Sequence, residues 1–163
     1  MKSKIVSLDF LVSQVSDLKA KGKVVAATGG CFDILHAGHV EYLEKAKSLG
    51  DFLVLFLNSD SSVRRLKGDE RPIVPQDERA IVVAALECVD YVCVFQEDTP
   101  CDVIAKVQPD IWTKGADYRD RKIPEQEIIE SYGGSIAYID FVDGCSSTNI
   151  VRKIIKTYTG DMK

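Results

Sequence analysis

The chain has 163 residues, of which 45% are hydrophobic and 28% charged, and a formal net charge of −4. That length closes one hydrophobic core as a single domain, and that composition excludes collagenous, disordered and membrane-embedded classes. The acidic balance lacks the basic excess needed to neutralise a nucleic acid backbone, so any phosphate chemistry must sit in a pocket and act on a small ligand.

Near the N-terminus the apolar stretch is broken by Lys4, Asp9 and Gln14. Neither a signal peptide nor a membrane span can be read there, which points to a cytoplasmic protein without a membrane partner. Cys31, Cys88, Cys93, Cys101 and Cys145 are odd in number and lack C-x-x-C spacing, so reduced thiols are expected and not disulfides or a zinc site.

In chain order, Ser7 ahead of Leu8, Leu11, Val12, Val15 and Leu18 predicts an N-terminal helix that closes at Gly22. Short apolar runs then predict five strands: Val24 to Ala27, Phe52 to Leu57, Tyr91 to Phe95, Ile111 to Thr113 and Ser135 to Ile139. Between them fall helices around His39 to Leu49, Pro75 to Leu86, Cys101 to Val107 and Glu125 to Ser131, with a last one over Ser147 to Tyr158. Its apolar face is Ile150, Val151, Ile154 and Ile155, while Ser61 to Pro72 reads as a charged, mobile loop. Strands without polar alternation are covered on both faces, so the expected fold is α/β. It is a doubly wound, five-stranded parallel sheet with helices on both faces and its ligand crevice at the carboxyl ends of the strands. Residues 1–22 pack a helix on this domain, 23–158 form it and 159–163 are a tail.

Directly after the first strand comes Thr28-Gly29-Gly30-Cys31-Phe32-Asp33-Ile34-Leu35-His36-Ala37-Gly38-His39, which holds both histidines of the chain and leads into a helix. Glycines at such a turn let the backbone approach an anion, and the helix N-terminus adds free N–H groups and positive partial charge. Gly30, Cys31, Phe32, Asp33 and Gly38 are therefore candidate phosphate-binding residues. His36 and His39, three residues apart, can donate to phosphoryl oxygens as charge builds in a transition state. The segment lacks both the G-x-G-x-x-G dinucleotide fingerprint and the G-x-x-x-x-G-K-[ST] of a P-loop, and no third residue is spaced to complete a metal site with the histidines.

With its His-x-Gly-His motif the chain resembles the cytidylyltransferase-like nucleotidyltransferases, which have a Rossmann-like fold. Within them it is similar to the D-glycero-β-D-manno-heptose 1-phosphate adenylyltransferases. That likeness is carried by Gly30-Cys31-Phe32-Asp33, Asn58-Ser59-Asp60, Ser62 to Gly68, Arg71-Pro72-Ile73, Lys114-Gly115-Ala116-Asp117-Tyr118 and Ser146-Ser147-Thr148. The chain departs from the usual heptose pattern at Gly29, at Ala116 and in its Ser-Ser-Thr, none of which removes a charged or imidazole group.

The resemblance implies transfer of AMP from ATP, with Mg²⁺ carried by the nucleotide phosphates and no metal ligands of the protein's own, to a sugar phosphate. Lys114, Gly115 and Asp117 would line the nucleotide pocket. Ser146, Ser147 and Thr148 would hold the departing phosphates at a second helix N-terminus. In the loop after the second strand, Lys67 would join His36 and His39 in catalysis, with Arg71 and Arg79 in support. A homodimer is implied too, and a separate polypeptide to make the sugar phosphate, since no sugar-kinase domain is found in these residues. Transfer of CMP from CTP to a phosphoalcohol such as glycerol 3-phosphate, or a nucleotide-binding module without turnover, stay open at this stage.

Overall fold

The computed structural model describes residues 2–140 and 146–159. Ser7 accepts the Phe10 N–H at 3.3 Å and starts α1 (Leu8–Ala20), which buries Leu11, Val15 and Leu18. There follow β1 (Val25–Gly30), α2 (Ala37–Lys47), β2 (Phe52–Asn58), α3 (Asp60–Lys67), α4 (Gln76–Ala84) and β3 (Tyr91–Phe95). The chain goes on through α5 (Cys101–Val107), β4 (Ile111–Gly115), a 3₁₀ turn (Ala116–Tyr118), α6 (Gln126–Ser131), β5 (Ser135–Ile139) and α7 (Ser147–Thr159).

All five strands pair in parallel, in the order β3-β2-β1-β4-β5. The chain winds from β1 to β2 and β3 on one side, then crosses back to β4 and β5 on the other. That reversal opens a crevice at the carboxyl end of β1. Strand β2 shows why the sheet is buried on both faces: Val54 and Phe56 belong to one core layer, Leu53, Leu55 and Leu57 to the other. The first layer is closed by α1, α5 and α6 through Leu11, Ile104 and Ile129; the second by α2 and α4 through Leu43 and Val83. Outside β3, the N-terminal segment adds a single parallel bridge from Ile5 to Val92. Lys4 Nζ reaches the carbonyls of Leu86 and Val89.

Three readings of the sequence need correction. The charged stretch from Ser61 to Pro72 is not all loop, because residues through Lys67 form α3. Ser59 is its N-cap, accepting the Ser62 N–H at 3.2 Å; Asp60 lies in the first turn, and Arg64, Arg65 and Lys67 lie in the last. Each charge thus sits at the helix end that favours it. Two helices consequently join β2 to β3 where one was expected. Thr159, assigned to the tail, belongs to α7, while 160–163 lie outside the described residues, as does Cys145. The apolar face expected of the last helix is not covered, Ile154 being 49% exposed and Ile155 54%. Cys31, Cys88, Cys93 and Cys101 are free thiols. Among the described residues no helix is long and apolar enough to cross a membrane.

Removing the α3 cap with Ser59→Ala should cost about 1 kcal/mol, read as a shift in the urea midpoint.

Candidate active site

A cavity of about 670 Å³ opens at the carboxyl ends of the strands, walled by the turn after β1, the end of α3 and the segments that begin α6 and α7. Every residue chosen from the sequence as a substrate contact lines it except Arg79 and Asp117. Asp117 is exposed on the 3₁₀ turn, outside the lining. Arg79 is wholly buried: Nε donates to the Val74 carbonyl at 2.9 Å, Nη1 to the Cys31 carbonyl, and Nη2 to Asp60 Oδ1 at 2.7 Å. Its guanidinium is spent on tying three segments together and has no reach to a phosphate.

The turn after β1 is shaped by Phe32, which holds a φ of 43°, in the left-handed region that side chains other than glycine seldom adopt. Its ring lies over Gly30, where a Cβ would come within 2.9 Å of it, and packs on His39 with centroids 5.1 Å apart. Gly29 is close-packed in the same way, since a Cβ there would stand 3.0 Å from the Trp112 ring. Trp112 itself is fully buried core and does not line the cavity.

His36 and His39 stack at a centroid distance of 3.8 Å and an interplanar angle of 20°. Both Nδ1 atoms are buried without a hydrogen-bond partner. Burial lowers the pKa of His36. Burial, the neighbouring His36 and the Lys67 ammonium together push His39 down to about 4. His36 is the N-cap of α2, whose first N–H groups lack intrahelical partners, and Ser146 caps α7 by accepting the Asn149 N–H at 3.1 Å. Ser147 Oγ donates to the Ile34 carbonyl at 3.2 Å, so the two helix N-termini are tied at one wall. Two positive helix ends converging on one cavity make an anion site.

The cations around it are unequal. Asp33 accepts from Arg71 Nε at 2.6 Å and from the Ile73 and Val74 N–H groups, a latch that fixes the loop before α4. Burial pushes the Asp33 carboxyl up, but those two N–H groups and the Arg71 guanidinium outweigh it and hold it below the usual range. Arg65 is held by Asp98, and Lys114 by Glu125 at 2.6 Å. Lys67, exposed at the end of α3, makes no ion pair or hydrogen bond among the described residues. The floor is a hydroxyl chain in which Tyr42 bonds Thr28 at 2.9 Å and Thr113 at 3.2 Å, fixing β1 to β4 where they part.

Sequence reasoning missed Glu125, Tyr42, Asn58 and Thr99 on the lining. Glu125 was legible only as an acidic residue at a helix start, the commonest place for one. Among the described residues, no three carboxylates, histidines or cysteines converge as a metal cage.

Residues 27–153 match the cytidylyltransferase-like family model. The chain belongs to the cytidylyltransferase-like family. It is 52% identical over 157 residues to the bifunctional protein HldE of Pelobacter propionicus and 53% identical over 156 residues to that of Geobacter sulfurreducens. Each match covers 96% of this chain and 32% of the relative, so the chain spans about a third of these curated relatives. A solved structure described as a lipopolysaccharide core biosynthesis protein from Thermoplasma volcanium superposes with a TM-score of 0.60 at 31% identity, covering 74% of this chain and 98% of its own. A protein of unknown function from Archaeoglobus fulgidus, with a TM-score of 0.56 at 20% identity and covering 76% and 93%, shares the fold.

Because folded His39 titrates near 4 and an unfolded histidine near 6.5, the unfolded chain takes up this proton first as pH falls. The contribution of neutral His39 is complete above pH 6.5 and is lost towards pH 4. NMR titration of the ligand-free protein should find His39 uncharged at pH 6 with an inflection near 4; an inflection at 6.5 would contradict the burial of the pair.

Proposed function

We propose that the chain transfers AMP from ATP to D-glycero-β-D-manno-heptose 1-phosphate, giving ADP-heptose and pyrophosphate, with ATP entering as its magnesium complex. The observation that carries this reading is the stacked His36–His39 pair at the N-terminus of α2, lining one cavity with the N-terminus of α7 and the unpaired Lys67. The match to HldE proteins and the heptose-type motifs support this acceptor.

An oxygen of the sugar phosphate attacks the α-phosphorus in line. The bond to the β-phosphate oxygen breaks, and pyrophosphate leaves over the α7 N-terminus. That attacking oxygen is already ionised at neutral pH, so no general base is required. What the residues supply is stabilisation of the crowded α-phosphoryl group: Nε2 of each imidazole donates where negative charge accumulates. The rings are uncharged in the free site because burial disfavours the cation, and a polyphosphate brought against them favours it, so ligand binding raises both pKa values. Neutral rings let the nucleotide enter without a fixed counter-ion having to be displaced. The exposed apolar stripe of α7 supports the homodimer as part of the same proposal.

His36→Ala and His39→Ala should each lower kcat by about 10²-fold with the thermal transition of the fold retained, the scale of one lost transition-state donor. Pyrophosphate release with each NTP and either heptose 1-phosphate or glycerol 3-phosphate tests the substrates. ATP with the heptose should lead CTP by about 10- to 10³-fold, the result of one or two unpaired polar groups. A lead for CTP would remove the heptose assignment and leave the histidine-assisted transfer. Lys67→Ala should raise KM for one or both phosphate substrates more than it lowers kcat, and kinetics equal to the parent would return that side chain to the solvated surface.

A further inference from the structure

One carboxylate oxygen of a residue that lines the cavity is left without a partner in the folded chain. Glu125 precedes α6, and its side chain is 1% exposed. Oε1 receives the Lys114 ammonium at 2.6 Å, while Oε2 is buried with no hydrogen-bond partner. A buried acceptor left unpaired is costly, and a carboxylate oxygen is the costliest kind, so such an atom in a residue of the cavity lining calls for a donor that the folded chain does not supply.

The surroundings narrow which donor that is. Tyr118, Ile123 and Pro124 line the cavity with Glu125 and belong to the connection from β4 to β5, whereas Lys67 and Arg71 belong to the connection from β2 to β3. An apolar and aromatic wall bearing one anionic acceptor repels a phosphate and suits a nucleoside. Lys114 lies 4.9 Å from the centroid of the Tyr118 ring, so the ammonium is fixed between ring and carboxylate and in turn fixes which oxygen of Glu125 stays free.

We propose that Glu125 Oε2 reads the nucleoside half of the nucleotide, accepting a hydrogen bond from an uncharged donor, a ribose hydroxyl or the base amine, with Lys114 as the residue that positions it. This rests on the nucleotidyl-transfer reading for the identity of the ligand. Both residues thereby act in discrimination between nucleotides and not in the chemical step.

The test is binding of α,β-methylene ATP, which cannot donate its nucleotidyl group, followed by calorimetry on the parent protein and on Glu125→Gln. In the variant Lys114 keeps the amide oxygen, so the amide N–H₂ is turned towards the ligand donor. The expected result is a Kd raised about tenfold or more for the nucleotide, the scale of a lost bond to a charged group, with heptose 1-phosphate binding unchanged. The 2′-deoxy, 3′-deoxy and inosine forms of the analogue identify the donor: the form lacking it binds parent and variant alike. The proposal is overturned if the variant binds like the parent, if all analogues lose equally, or if the loss falls on the sugar phosphate. Should the variant not fold, the parent alone decides, since equal affinity for all four analogues overturns it too. Nucleotide binding that depends on Glu125 in a protein that releases no pyrophosphate with any acceptor would support this assignment and remove the transfer reading.

Discussion

The buried guanidinium of Arg79 fixes where the rest of the site can be. Its three nitrogens reach the Cys31 carbonyl in the turn after β1, the Val74 carbonyl in the loop that carries Arg71, and the Asp60 carboxylate at the start of α3. These segments follow β1 and β2, on the same side of the point where the sheet reverses direction, and each carries a residue of the cavity lining. A planar fork with fixed donor directions can hold three such acceptors at once, which an ammonium on a flexible stem cannot do in the same geometry. The Asp33 latch repeats the connection from the other side by gripping Arg71 and the N–H groups of Ile73 and Val74.

That frame explains how an acidic chain makes an anion site. Most cations at the rim are already matched: Arg71 by Asp33, Arg65 by Asp98, Lys114 by Glu125. Attraction in the proposed reading then falls to Lys67, to the N-terminal ends of α2 and α7, and to the two imidazoles, whose burial disfavours the charged form in the free chain. Fixed dipoles need no counter-ion when the cavity is empty, and they are already oriented when charge develops on a phosphoryl group.

Much of this was legible in the chain. The five apolar runs marked the five strands because a doubly covered parallel sheet leaves no polar alternation to confuse them, as Phe52–Asn58 shows. The turn from Thr28 to His39 was legible because glycines and histidines are rare enough for their clustering to carry meaning. What stayed hidden depended on pairing across the sequence. Arg79 read as a phosphate ligand because two of its three acceptors, 19 and 48 residues away, cannot be seen in a linear pattern. Helix α3 hid beneath its own charges, since only Ser62 and Val63 are buried in it. Glu125 looked like any acid at a helix start, and its free oxygen exists only because Lys114 takes the other.

The N-terminal segment has an effect on the whole sheet. By bridging Ile5 to Val92 and bonding Lys4 to two carbonyls beyond α4, it lies along the outer rim of β3. Unpaired strand rims template the addition of foreign strands, and partial occupation by a short segment bearing a lysine is one way chains prevent that. The two rims of this sheet are therefore unequal: β3 is partly shielded, while β5 has no strand beyond it among the described residues. Shortening the chain ahead of α1 would expose β3 as well, and a sheet open at both sides can propagate into an array where one open at a single side stops at a pair.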